Sequence, residues 1–182
     1  MIFEAKEIIL KDGTKCILRS PTGDDAKEML EYLKTCATET IFILRYPEEC
    51  TETIEQEAQF LKTINNSEYN LMLVAEIDGE IAGNSQLAIH KRIKTRHRGD
   101  VAIALKQKFW NKGIGTIMFT ELEKIARDKK CLQLELEVIE GNTRAISFYE
   151  KMNYSIYAKR SRGIILKDGT ALSEYFMVKF LD

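Results

Sequence analysis

Trp110-Asn111-Lys112-Gly113-Ile114-Gly115-Thr116 is the stretch on which the reading of this chain turns. It follows an apolar, strand-like run at residues 101–105 and precedes an amphipathic, helix-like run that begins near Ile114. A strand, a turn with two glycines one residue apart and a helix start make a geometry suited to phosphate. Glycine lets the backbone approach a ligand, and the first free N–H groups of a helix point at an anion. A dinucleotide fingerprint would need a third glycine at position 118, where Met118 stands, and the upstream segments read as hairpins rather than a first βαβ unit. The Gly-Lys-Ser/Thr ending of a nucleotide phosphate loop is also absent. By spacing alone the stretch is either an anion cradle or a glycine-rich helix start.

Upstream, residues 7–10 and 14–19 flank Lys11-Asp12-Gly13 and read as a short hairpin. Ser20-Pro21-Thr22-Gly23 breaks the strand, and Asp24 or Asp25 can cap a helix whose Ala26, Met29, Leu30 and Leu33 share a face. Thr53 and Gln56 form a capping-box pair that opens a second helix carrying Ile54, Ala58 and Leu61. Residues 69–77, with Leu71-Met72-Leu73-Val74-Ala75, predict a strand buried on both faces, and Asp78-Gly79 turns it back into residues 80–89.

Downstream, Ile114, Ile117, Met118, Leu122, Ile125 and Ala126 keep a helical stripe. Leu132, Leu134, Leu136 and Val138 alternate with Gln133, Glu135 and Glu137, a strand with one polar face. Asn142 is placed to cap a short helix with Ala145, Phe148, Tyr149 and Met152 on one stripe, and residues 154–159 and 175–181 close the chain as strands. The order predicts one domain over residues 1–182. It is α/β, a mixed, mostly antiparallel, twisted sheet of about seven strands flanked by about four helices, with one parallel crossover around Gly113.

The chain has 182 residues, 45% hydrophobic and 30% charged, with a formal net charge of −1, the balance of an ordinary globular protein. No apolar run approaches the roughly 18–20 residues of a membrane span, and the N-terminus lacks a signal-peptide pattern, so a cytoplasmic protein without membrane contact is expected. Cys16, Cys36, Cys50 and Cys131 show no paired spacing, and His90 and His97 are the only histidines, so no metal site is expected. Lys91, Arg92, Lys94, Arg96 and Arg98 crowd one loop, but aromatics for base stacking are missing, which argues against nucleic acid and for solvated hairpin charges.

Gly113-Ile114-Gly115 after a strand, followed by Asn142-Thr143-Arg144-Ala145-Ile146-Ser147-Phe148-Tyr149-Glu150-Lys151-Met152-Asn153-Tyr154, resembles the GCN5-related N-acetyltransferase (GNAT) family of bacterial type. The resemblance covers residues 69–157 most firmly. It implies the acyl-CoA N-acyltransferase fold, with acetyl-CoA as co-substrate and transfer of acetyl to a primary amine by direct attack in a ternary complex. In the family, Q/R-x-x-G-x-G/A binds the pyrophosphate. Here Trp110 stands at the Q/R position, and Asn153 at a position where glycine is commoner. By this resemblance Asn111, Lys112, Gly113, Ile114, Gly115 and Thr116 hold the pyrophosphate, mainly through backbone N–H groups. The strand near Leu105 grips the pantetheine arm, and Asn142 either contacts the cofactor, caps its helix, or does both.

Two catalytic residues are expected. The Tyr149 phenol, with an ordinary pKa near 10, keeps its proton at neutral pH and can deliver it to the departing thiolate; the bland reading is a core aromatic on a helical stripe. An acceptor amine with a pKa near 10.4 is almost wholly protonated at pH 7, so a base is needed. Glu137 lies on the polar face of its strand, twelve positions before Tyr149, where ribosomal-protein members of the family carry a glutamate. Asp100 and Glu76 are the other candidates, and a structural hydrogen bond is the bland reading of each. Glu48, Glu49, Glu52, Glu55 and Glu57 either favour a cationic acceptor or simply complement a helix N-terminus. The acceptor is expected to be a small amine or a peptide N-terminus, and the protein a monomer or homodimer. The rival reading is a non-catalytic acyl-CoA-binding regulatory domain of the same fold.

Overall fold

In the computed structural model, which describes residues 1–181, the chain forms eight strands and four helices. Strands β1 (Lys6–Ile9) and β2 (Lys15–Arg19) precede helices α1 (Ala26–Glu39) and α2 (Ile54–Asn65). Then come β3 (Asn70–Ile77), β4 (Glu80–Ile89) and β5 (Arg98–Leu105), helix α3 (Ile114–Asp128), β6 (Gln133–Ile139), α4 (Thr143–Lys151), β7 (Ser155–Ile165) and β8 (Ala171–Phe180). The sheet order is β1-β2-β3-β4-β5-β6-β8-β7. Every neighbouring pair is antiparallel except β5 and β6, which run parallel around the crossover through α3. Eight strands replace the expected seven because the arms of the Asp12-Gly13 hairpin pair with each other as separate strands, Lys6↔Leu18 to Ile9↔Lys15.

The apolar run in β3 has a simple cause. Side chains alternate along a strand, and both faces of this sheet are covered. Leu71, Leu73 and Ala75 enter a core with Met118, Phe119 and Leu122 of α3, while Met72 and Val74 enter a second core with Met29 and Tyr32 of α1 and Leu61 of α2. Local signals set the element ends. The Thr53 hydroxyl accepts from the Gln56 N–H (3.2 Å) and the Gln56 carboxamide oxygen accepts from the Thr53 N–H (2.8 Å), a complete capping box at α2. Asn142 caps α4, its side-chain oxygen accepting from the Ala145 N–H at 3.2 Å, and Asn153 leaves that helix at φ 65°. Asp25 caps α1 without a side-chain bond to the helix, because its carboxylate is held by Arg19 at 2.7 and 2.8 Å.

The charged segments fold back on themselves. In the basic loop, His90 meets Asp100 at 3.0 Å, Lys91 lies over the Tyr69 ring and Arg98 pairs with Glu135. Among the acidic residues before α2 and in its first turn, Glu52 pairs with Arg45, Glu48 with Lys167, and Glu57 is buried, which raises its pKa. Among the described residues no helix is long and apolar enough to cross a membrane.

Candidate active site

The parallel pair β5–β6 is where the sheet opens. The two strands share register only at Arg98↔Gln133, Gly99↔Leu134 and Asp100↔Glu135. Beyond that point β5 stays on β4 as far as Gly83↔Leu105, and β6 stays on β8 as far as Ile139↔Glu174, so each strand keeps one partner and they part. A bidentate ion pair closes the paired end: the Arg98 guanidinium donates to both Glu135 carboxylate oxygens, through Nε at 2.6 Å. The wedge between the strands is a cavity of about 1110 Å3 lined by residues of β5, β6, the α3 and α4 N-termini, and the loop after α1.

Hydrogen-bond alternation tells what the β5 edge offers. His90 N–H donates to the Arg98 carbonyl and Lys106 N–H to the Ala82 carbonyl, each at 3.0 Å. Even-numbered residues of β5 therefore bond to β4, and Ile103 and Leu105 turn their N–H and C=O groups toward the gap. The Leu105 carbonyl is taken by the Trp110 indole N–H at 2.8 Å. What remains is a short open strand edge, able to pair with an extended chain of amides as a β-strand would.

That edge leads to the glycine turn. Asn111 sits at φ 64° and Gly113 at φ 83°, left-handed conformations that asparagine tolerates and glycine adopts without strain. The first intrahelical bond of α3 runs from Ile117 N–H to the Gly113 carbonyl, and no side chain caps the helix. The N–H groups of Ile114, Gly115 and Thr116 are thus aimed outward at the positive end of the helix dipole. Arg144 lies over the Trp110 ring, 4.3 Å from its centroid, and donates to the Asn111 side-chain oxygen at 3.0 Å. Trp110 thus ties the β5 end to the turn. Lys112 is engaged by Asp12 of the β1–β2 hairpin, and its ammonium holds the Asp12 carboxyl well below the usual carboxylate range. Lys112 is therefore anchored across the turn rather than free.

Tyr149 borders the cavity from α4, 6% exposed, with its ring against Phe119 and Phe148 at centroid distances of 5.7 and 5.3 Å. Burial pushes its pKa up to about 12. It is both a core aromatic and a cavity residue. Glu137 also lines the cavity, half-exposed, 3.5 Å from Arg160. The structure does not bring Asp100 or Glu76 to this site. Asp100 sits at the paired end of β5 with His90, and Glu76 of β3 is held by Arg19 at 2.8 Å.

One acidic residue escaped the sequence reading. Glu174 of β8 is 5% exposed, lines the cavity and meets Arg160 at 3.1 Å. Its carboxylate fits because Gly163 has no side chain: a Cβ there would fall 2.0 Å from Oε2. The bulge in β7 between Arg160 and Ile164 brings Gly163 there. Only the charge of Glu174 within an apolar strand marked it, and that signal does not say which wall it joins.

A strand edge able to pair with amides, ending on an uncapped helix N-terminus with Arg144 nearby, suits a ligand with a phosphate head and an extended tail. The chain belongs to the acetyltransferase (GNAT) family, whose model matches residues 27–154. L-amino acid N-acetyltransferase AaaT of Escherichia coli (strain K12) is 25% identical over 108 residues, 59% of this chain and 66% of that protein. The match spans slightly less than two thirds of that relative. The crystal structure of an acetyltransferase of the GNAT family from Streptococcus pneumoniae is 27% identical, with a TM-score of 0.84 over 91% of this chain and 99% of that one. The yncA protein of Salmonella typhimurium, solved with its cofactor acetyl-CoA, shares the fold at 17% identity, TM-score 0.77, over 91% of this chain and 93% of that one.

Proposed function

We propose that this protein transfers acetyl from acetyl-CoA to a primary amine by direct attack within a ternary complex. The observation that carries the reading is the parting of β5 and β6 beyond Asp100↔Glu135, which leaves a strand edge running to the open α3 N-terminus. In this reading Ile103 and Leu105 hold the pantetheine amides, and the N–H groups of Ile114, Gly115 and Thr116 hold the pyrophosphate. Lys11, Arg144 and Lys151 also line the cavity and add positive charge. Asn142 contributes by fixing the α4 start, since its side-chain oxygen is already occupied by the cap.

Chemistry takes place in the gap. Glu137, through water, removes a proton from the acceptor ammonium, and the neutral nitrogen attacks the thioester carbonyl. The backbone dipoles of the β5 edge polarise that carbonyl. As the C–N bond forms and the C–S bond breaks, the Tyr149 hydroxyl donates to the departing sulfur, and the thiol leaves protonated. A second proton leaves the nitrogen as the amide forms and restores the phenol by way of solvent. A small-molecule amine or a peptide N-terminus fits the acceptor side.

Isothermal titration with acetyl-CoA, followed by a free-thiol assay with amines, tests this. Micromolar binding and amine-dependent thiol release are expected. Absence of binding at that concentration overturns the reading, and binding without turnover of any amine favours a regulatory acyl-CoA-binding domain instead.

A further inference from the structure

The cavity carries charge of both signs. Its charged lining residues are Lys11, Lys151 and Arg144, the last bonded to Asn111 of the glycine turn, and Glu39, Glu137 and Glu174 on the walls made by α1, β6 and β8. Glu39 is committed, its carboxylate accepting from the Gln107 N–H at 2.8 Å. Glu137 and Glu174 share one cation, Arg160, whose Nη1 reaches Glu137 Oε2 at 3.5 Å and Glu174 Oε2 at 3.1 Å. Arg160 itself lies over the Phe176 ring, 4.6 Å from the centroid, and is half-exposed outside the cavity lining. Two carboxylates against one guanidinium leave a surplus negative charge on this wall.

Glu174 is more than a member of an acidic group. It is 95% buried by its 5% exposure, it faces the cavity, and its bonded oxygen is Oε2. The other oxygen, Oε1, has no hydrogen-bond or ion-pair partner among the described residues, and it is not sealed from the surface. Arg160 meets only Oε2, and a second cation at Oε1 would complete the pairing of a carboxylate kept in so dry a wall. The remaining lining on this side is apolar, from Phe42, Ile43, Leu44 and Ile139, and suits a hydrocarbon spacer.

We infer that the acceptor is a dicationic amine: one amine attacks the thioester near Glu137, and a second ammonium, separated by a short alkyl chain, pairs with Glu174. A carboxylate beside the attacking amine is disfavoured, since it would face Glu137 and Glu174, and Arg160 beside them is already shared by both. This rests on the acetyltransferase reading above and makes Glu174 its specificity-determining residue.

Three amines built on the same five-carbon chain separate the possibilities: cadaverine with two ammonium groups, pentylamine with one, and lysine, which is cadaverine bearing a carboxylate. Titration with acetyl-CoA comes first, and failure to bind it sinks the acetyltransferase reading itself rather than this inference. With acetyl-CoA bound, kcat/KM for cadaverine is expected to exceed that for pentylamine and for lysine by at least about tenfold, the equivalent of about 1.4 kcal/mol. In Glu174→Gln the preference for cadaverine over pentylamine should collapse toward unity, while the affinity for acetyl-CoA stays within about twofold. A merely structural role for Glu174 would lower both amines together and leave the ratio intact. The inference is overturned if lysine or pentylamine equals cadaverine in the unsubstituted protein, if neither cadaverine nor pentylamine is turned over, or if Glu174→Gln keeps the ratio.

Discussion

Replacing Tyr149 with phenylalanine removes one oxygen and tests the centre of the proposed chemistry. The ring is fixed by Phe119, Phe148 and Tyr154, with centroids 5.7, 5.3 and 6.2 Å away, and phenylalanine keeps all of these contacts. The hydroxyl has no hydrogen-bond partner among the described residues, so its loss strands no other group. Stability is therefore expected to change by no more than about 0.5 kcal/mol, read as a small shift in melting temperature. Catalysis is different. A hydrogen bond to a charged acceptor contributes about 1.5–3 kcal/mol, and here the acceptor is the charge developing on sulfur. Losing that interaction only as the C–S bond breaks lowers kcat by roughly 10- to 150-fold, with binding of acetyl-CoA unchanged.

The pH profile adds a second readout. With the pKa pushed up to about 12 by burial, the phenol stays protonated through the whole practical range, so Tyr149 should produce no fall in rate between pH 7 and about 10. The same burial makes full proton transfer to an exposed thiolate unfavourable. The sulfur in the gap is desolvated as well, which raises its own basicity and brings the two groups closer in proton affinity. The assay is thiol release under saturating acetyl-CoA from pH 7 to pH 10, for both proteins. Turnover of the phenylalanine variant within twofold of the parent at every pH would refute the acid role and leave Tyr149 as a packing residue.

Trp110 is the chain's one tryptophan, so acetyl-CoA binding should change intrinsic fluorescence in a saturable way. Trp110→Phe deletes the bond to the Leu105 carbonyl and the larger ring beneath Arg144, and KM for acetyl-CoA should rise several-fold with little change in kcat. Glu137→Gln is expected to lose rate most at low pH, where the acceptor is hardest to deprotonate; a rate ratio flat across pH would count against a base there. Away from the site, Asp25→Asn removes the partly buried partner of Arg19 and should cost about 1–3 kcal/mol in denaturant unfolding. Burial works against ionised Asp25, but the Arg19 guanidinium and the Thr22 N–H outweigh it and hold its pKa below the ordinary value. Its contribution is thus complete above about pH 4, the unfolded value, and is lost as pH falls through the folded one, so the variant and the parent should converge in stability only in acid.

What was legible in the chain is what short-range chemistry dictates. Asp78-Gly79, Thr53 with Gln56, and Asn142 each act on backbone within a few residues, and each forms the expected turn or cap. The unbroken apolar run of β3 announced a strand covered on both faces, because no wet face allows it. Gly113-Ile114-Gly115 and the segment around Tyr149 supplied the two ends of one site and with them the family. The parting of β5 from β6 was not legible. It arises because β4 and β8 each hold one of the two strands, contacts made by residues far apart in the chain. That geometry admits Glu137 and leaves Asp100 at the paired end. Glu174 enters the wall only through a bulge in β7 that aligns Gly163 with its carboxylate, and Lys112 is claimed by Asp12, a hundred residues earlier. Sequence pattern determined the elements and the cofactor-like turn, because local backbone sterics and periodic burial act within each element. Only the tertiary structure decided which carboxylates line the cavity, because that depends on how strands meet and separate in space.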